Sequence, residues 1–135
     1  MGNRLALSLF ILRVTVFVVM AMWSLDKLLA PDHAANVFES FYYLGGLDAP
    51  VFYAIGVIQL IIEIGFLLGV ARFWTYGFVL VVHAISVAAT WQQLLNPLDN
   101  MLFLASVPML GACVALFLLR DSDNFLTLGR SSGKH

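Results

Sequence analysis

Arg13, Glu63 and His83 are three ionisable residues, each interrupting a different apolar run of the chain. An imidazole beside a carboxylate can pass protons, because imidazole titrates near neutrality. A permanently charged guanidinium adds fork-like donors for a carbonyl or an anion. Together these are tools for holding a quinone head group and exchanging its protons, with the electrons supplied by a partner. A lone charge at the centre of a bilayer costs about 2.5 to 3.5 kcal/mol on insertion scales, so the three are expected to meet in one buried polar layer.

The elements that would bring them together follow from composition. The chain has 135 residues, 61% hydrophobic and 11% charged, against roughly 45 to 50% and 25% in soluble domains. Spanning a bilayer takes about 20 apolar residues, and the sequence supplies such runs at about 5–25, 51–70, 74–93 and 101–119. The expected fold is all-α, a single integral membrane four-helix bundle over 1–135, with no linker, low-complexity segment or short-period repeat to divide it. Pro31 follows the one small-residue site that a signal peptidase would favour, at Ala30, so the first run is expected to stay as a helix. The single cysteine, Cys113, permits no internal disulfide or dithiol pair. A net charge of −1 gives no basic face for nucleic acid.

Arg4, Arg72, Arg120, Arg130 and Lys134 fall on one side of the four runs and only Lys27 on the other. Both termini are therefore expected in the cytoplasm, the membrane being a bacterial inner membrane. Asp32, Glu39, Asp48 and Asp99 make the opposite face acidic. Between the first two spans, Val37, Phe38, Phe41, Tyr42 and Leu44 recur at helical spacing before Gly45-Gly46, which predicts a short amphipathic interfacial helix. Tyr42, Tyr43, Trp23, Trp91 and Tyr53 would form one aromatic belt, and Trp74 and Tyr76 the other. Asn96-Pro97 opens a turn with an acid or amide cap before the fourth span. Pro108 predicts a kink in that span, Gly65 and Gly69 a close-packing face, and Gly111 another small contact.

Measured from Arg4, Arg72 and Arg120, the three buried charges fall about 13 to 16 Å deep at 1.5 Å per residue, near the middle of a core about 30 Å thick. Gln59 shares a helical face with Glu63, and Ser86 and Thr90 share one with His83. A polar seam is thus predicted from the midplane to a mouth at Asp26, Lys27 and Gln92 or Gln93. The plainer reading is an Arg13 to Glu63 ion pair, with His83 as a third partner, that only fixes which helices are neighbours. A metal site would need Cys113 or Met109 beside His83 and Glu63, without motif spacing; no metal is expected, and Cys113 reads as a packing residue. His33 and His135 read as solvent-facing. No haem pair, flavin fingerprint or cysteine cluster is visible.

The stretch LRVTVFVVMAMWSLDKLLAP, a Gly-rich turn, and then IGVIQLIIEIGFLLGVARFWT resemble the DoxX-like family of small four-helix membrane proteins over about the first two thirds of the chain. Arg13, Lys27, Pro31, Glu63, Gly69 and Arg72 carry the likeness, while Trp23-Ser24-Leu25-Asp26 departs from the commonest pattern. The resemblance implies four helices with both ends cytoplasmic, and either a redox role, as in thiosulfate to quinone electron transfer, or an accessory role in assembling larger membrane proteins.

Three functions remain open on the sequence. The first is a quinone-interacting subunit of a membrane redox complex, with Arg13, Glu63 and His83 as the reactive centre and Lys27, Gln59 and Ser86 lining the quinone site. The second is a non-enzymatic structural or assembly subunit of a larger membrane complex or homo-oligomer. The third is a proton or small-solute pathway.

Overall fold

The computed structural model describes residues 2–127. The Arg130 and Lys134 charges, the SSGKH tail and His135 lie outside the described residues. The helices are α1 (Gly2–Leu29), α2 (Pro31–Tyr42), α3 (Ala49–Leu68), α4 (Arg72–Ala89), the single turn α5 (Trp91–Leu94) and α6 (Ser106–Leu118), with 3-10 turns at Met101–Ala105 and Arg120–Ser122. Four segments, Asn3–Leu29, Ala49–Leu68, Arg72–Ala89 and Met101–Leu118, are long and apolar enough to cross a membrane. α1 packs on α3, α3 on α4, α4 on α6 and α6 on α1, so the four long elements close a ring in chain order; α2 lies against α1 and α3.

Each long helix turns one stripe inward. On α1 the buried residues Leu9, Arg13, Val16, Met20, Ser24 and Lys27 recur three or four apart, and on α3 Phe52, Gly56, Glu63 and Phe66 recur four, seven and three apart, still on one face. Outward, Ile11, Val18, Met22, Ile58, Ile61, Val81 and Ile85 stay exposed. Soluble monomers rarely expose apolar surface on that scale, whereas lipid accepts it. The inward stripes therefore concentrate the polar groups. At the α1–α3 crossing a Cβ on Gly56 would lie 3.0 Å from the Ser24 carbonyl and from Leu28, so the glycine admits the close approach.

Several expectations are corrected by local structure. Gly69 lies past the end of α3 at φ +70, where the Val70 N–H bonds to the Gly65 carbonyl at 2.9 Å. It is a left-handed helix stop, where a Cβ would also lie 2.8 Å from Thr127; Gly65 lies within α3, where a Cβ would lie 3.2 Å from the Thr75 methyl. A Cβ on Gly111 would meet nothing within 4 Å. Pro108 falls in the first turn of α6, where proline is tolerated, and the departure from α geometry comes before it, as the 3-10 turn Met101–Ala105. Asn100 stands at the cap position of that turn but gives its amide to the Asn96 carbonyl at 3.0 Å, so no side chain caps the fourth span. The third span ends at Ala89 and resumes as α5 after Thr90. α2 ends at Tyr42, three residues before Gly45, with Tyr43 itself left-handed at φ 59.

Candidate functional site

The three sequence-predicted charges separate into two clusters. Arg13 is fully buried and donates from Nη1 to Asp123 Oδ1 at 2.5 Å and from Nη2 to the carbonyls of Phe125 and Leu126 at 2.7 and 3.2 Å. Tyr76 donates its hydroxyl to Asp123 Oδ2 at 2.5 Å. Close by, Arg72 bonds to the carbonyls of Gly69 and Arg120, to Asn124 Oδ1 and to Thr127 Oγ1. Two buried arginines thus tie the segment after α6 across one end of the bundle. Tyr76 is 1% exposed, which corrects its assignment to an aromatic belt: its ring packs edge-on to Phe66 at 4.9 Å and its hydroxyl is spent on Asp123.

Glu63 accepts hydrogen bonds from Ser24 Oγ at 2.8 and 2.9 Å, and Ser24 lies about 16 Å beyond Arg13 along α1 at 1.5 Å per residue. Among the described residues no ion pair joins Arg13 to Glu63. That corrects the single-layer expectation, and helix direction explains it. Side chains tilt toward the N-terminus of their own helix; on antiparallel α1 and α3, Arg13 leans toward one end of the bundle and Glu63 toward the other.

Around Glu63 the remaining predicted residues do converge. A cavity of about 1070 Å³ is walled by α1, α2, α3, α4 and α6, and Lys27, Gln59, Glu63, His83 and Ser86 all line it, with Thr90 and Asp26 further along. Gln92 and Gln93, expected at the mouth, do not. The inward stripes explain the convergence: Gln59 and Glu63 share a face of α3, His83 and Ser86 a face of α4, and Ser24 and Lys27 the buried face of α1. α2 supplies the missing wall, with Phe38 5.8 Å from Lys27 Nζ and Tyr42 Oη 2.9 Å from Ser86 Oγ. His33 is exposed and pairs with Asp26 at 2.9 Å on the cavity's margin.

His83 is fully buried. Its ring stacks on Trp23 at 5.9 Å and its Nε2 bonds to the Ser106 carbonyl at 2.8 Å. Nδ1 has no partner. Among the described residues Lys27 hydrogen-bonds only to the Trp23 carbonyl, at 3.4 Å, and lies within electrostatic reach of Glu63 without contacting it as an ion pair. The inner part of the cavity therefore brings together Lys27, the Glu63 carboxyl and the His83 imidazole in apolar surroundings, with the Asp26–His33 pair at its margin. No group of three metal-ligating side chains occurs among the described residues, and Cys113 sits in the apolar core with Leu116 and Val79.

Sequence reasoning missed Ser24 and Asp123. Ser24 could have been found from the three-and-four spacing that links Met20 to Lys27. Asp123 carries no local signal, since it follows the last helix in an ordinary polar turn. No protein-family model, curated protein or solved structure matches the chain.

Proposed function

We propose that this chain is a membrane-embedded quinone-binding protein, whose ring site is the cavity beside Glu63 and His83, serving as a subunit of a redox complex. The observation that carries the reading is His83, a fully buried residue that lines a cavity of about 1070 Å³ and whose Nδ1 has no partner among the described residues. Small-molecule sites run to about 300 to 1,000 Å³, mostly apolar with a few convergent polar groups, and buried polar atoms are otherwise paired. Glu63 and His83 would bond to the ring oxygens, Lys27 would face the opposite oxygen, and Gln59 and Ser86 would border the ring. Arg13 takes no part in this site; its hydrogen bonds go to the segment after α6.

Tryptophan fluorescence tests the reading, because Trp23 lines the cavity and stacks on His83. In a Trp74→Phe, Trp91→Phe background, a decyl-tailed benzoquinone couple should quench Trp23 saturably. Glu63→Gln should weaken the tighter-binding form about tenfold or more, the worth of a hydrogen bond to a charged group, while the protein stays folded. Unsaturable quenching, or equal affinity in the variant, would remove this reading in favour of an assembly subunit.

The same proposal places the chain in a bacterial inner membrane with both termini cytoplasmic, supported by Arg4, Arg72 and Arg120 on one side against Lys27 on the other. Cysteines introduced at Asn3 and Asp99 should react with a membrane-impermeant thiol reagent from opposite faces of oriented vesicles. Labelling of Asn3 from the periplasmic face and of Asp99 from the cytoplasmic face would reverse the topology, and labelling of both from one face would contradict the three crossings between them.

A further inference from the structure

We infer that the cavity selects the reduced form of its ligand: it is built for a hydroquinone, or another ring bearing hydroxyl donors, over the acceptor-only quinone. The inference rests on the ring-binding reading above and adds which redox state the site prefers.

It comes from an inventory of hydrogens. Almost every hydroxyl on the cavity wall has already given its hydrogen to the protein. Ser86 donates to the Val82 carbonyl at 3.1 Å, which leaves Tyr42 as the donor in its bond to Ser86. Thr90 donates to Val87, Ser106 to Phe103, and Thr15 to Ile11, all backbone carbonyls. His83 is committed in the same sense: a carbonyl can only accept, so Nε2 carries the hydrogen that bonds to Ser106. Nδ1, with no acceptor in reach, presents a lone pair. Glu63 also presents lone pairs, because the one hydroxyl hydrogen of Ser24 leaves a carboxylate oxygen with capacity to spare. The donors left on the wall are the Lys27 ammonium, the Gln59 amide and the Trp23 indole N–H.

A hydroquinone brings two O–H groups, each also an acceptor. One can donate to His83 Nδ1 or Glu63 while an oxygen accepts from Lys27. A quinone has no hydrogen to offer, so its carbonyl would face the Nδ1 lone pair and leave that buried atom unpaired, the arrangement that binding sites penalise most.

The test is the affinity of the purified full chain, carrying Trp74→Phe and Trp91→Phe and held anaerobically in mild detergent, for a decyl-tailed benzoquinone and for its hydroquinone, read by Trp23 quenching. The hydroquinone should bind at least tenfold more tightly, which raises the midpoint potential of the bound two-electron couple by about 30 mV for each tenfold. His83→Phe keeps a ring against Trp23 but removes both nitrogens, so it should bring the two affinities to within about threefold of each other, chiefly by weakening the hydroquinone. Equal or tighter binding of the quinone by the protein with His83 in place would overturn the inference and leave ring binding standing. Failure of both forms to bind would overturn the two together. Retention of the tenfold preference in His83→Phe would also overturn it, by removing Nδ1 as its source.

Discussion

Asp123→Ala is expected to destabilise the folded protein by about 3 to 5 kcal/mol, the cost of removing one partner from a buried ion pair and leaving the other charge uncompensated. Arg13 and Asp123 are both fully buried, and the carboxylate is shared by Arg13 and Tyr76, so the substitution strips a partner from each. The carbonyls of Phe125 and Leu126 would still accept from Arg13 but cannot neutralise it. Thermal unfolding in detergent measures the loss. Asp123→Asn, which keeps an acceptor but not the charge, should lose less. The double variant Arg13→Met with Asp123→Leu should recover much of the loss, because an apolar pair of similar volume in place of a buried ion pair is often neutral or stabilising. If Asp123→Ala melts with the unaltered protein, the segment after α6 does not close the bundle as described.

Phe52→Ala should act on both the fold and the cavity. Phe52 is 0% exposed and meets Phe38 edge-on at 5.0 Å; Phe38 in turn contacts Tyr42 at 5.2 Å and lies near Lys27. Deleting a buried phenyl costs about 3 to 5 kcal/mol in transfer and cavity terms. Here the void would open beneath α2, the wall that carries Tyr42 to Ser86. The variant is therefore expected to melt earlier and to quench Trp23 with weaker affinity, although Phe52 is not itself on the cavity lining. Phe52→Leu, which refills most of the volume, should restore most of both. A folded Phe52→Ala protein with unchanged ligand affinity would show that α2 is not held in place through this contact.

The stability effect of Asp123 and the ligand effect of Glu63 are separable because the two groups occupy different levels of the bundle. Asp123 closes one end with every carboxylate oxygen bonded to a neighbouring side chain. Among the described residues Glu63 is bonded only to Ser24, and it lines open volume. The same acidic chemistry is thus locked in one place and free to meet a ligand in the other.

Much of the site was legible in the residues alone. Four apolar runs predicted four long helices, and the periodicity of Val37 to Leu44 predicted α2. Gln59 with Glu63, and His83 with Ser86, were readable as shared faces, because 3.6 residues per turn places positions three and four apart on one side of any helix. That geometry is local, so the sequence by itself determined which polar groups travel together. It did not determine the depth at which one helix meets the next. Arg13 and Glu63 matched when counted from assumed boundaries, yet the packing of α1 on α3 and the opposite tilt of their side chains send them to different ends. Asp123 was invisible for a related reason. Its partner lies in α1, at the far end of the sequence, and only the return of the chain after α6 brings the two together; such long-range pairings are decided by tertiary packing, for which no local pattern stands in.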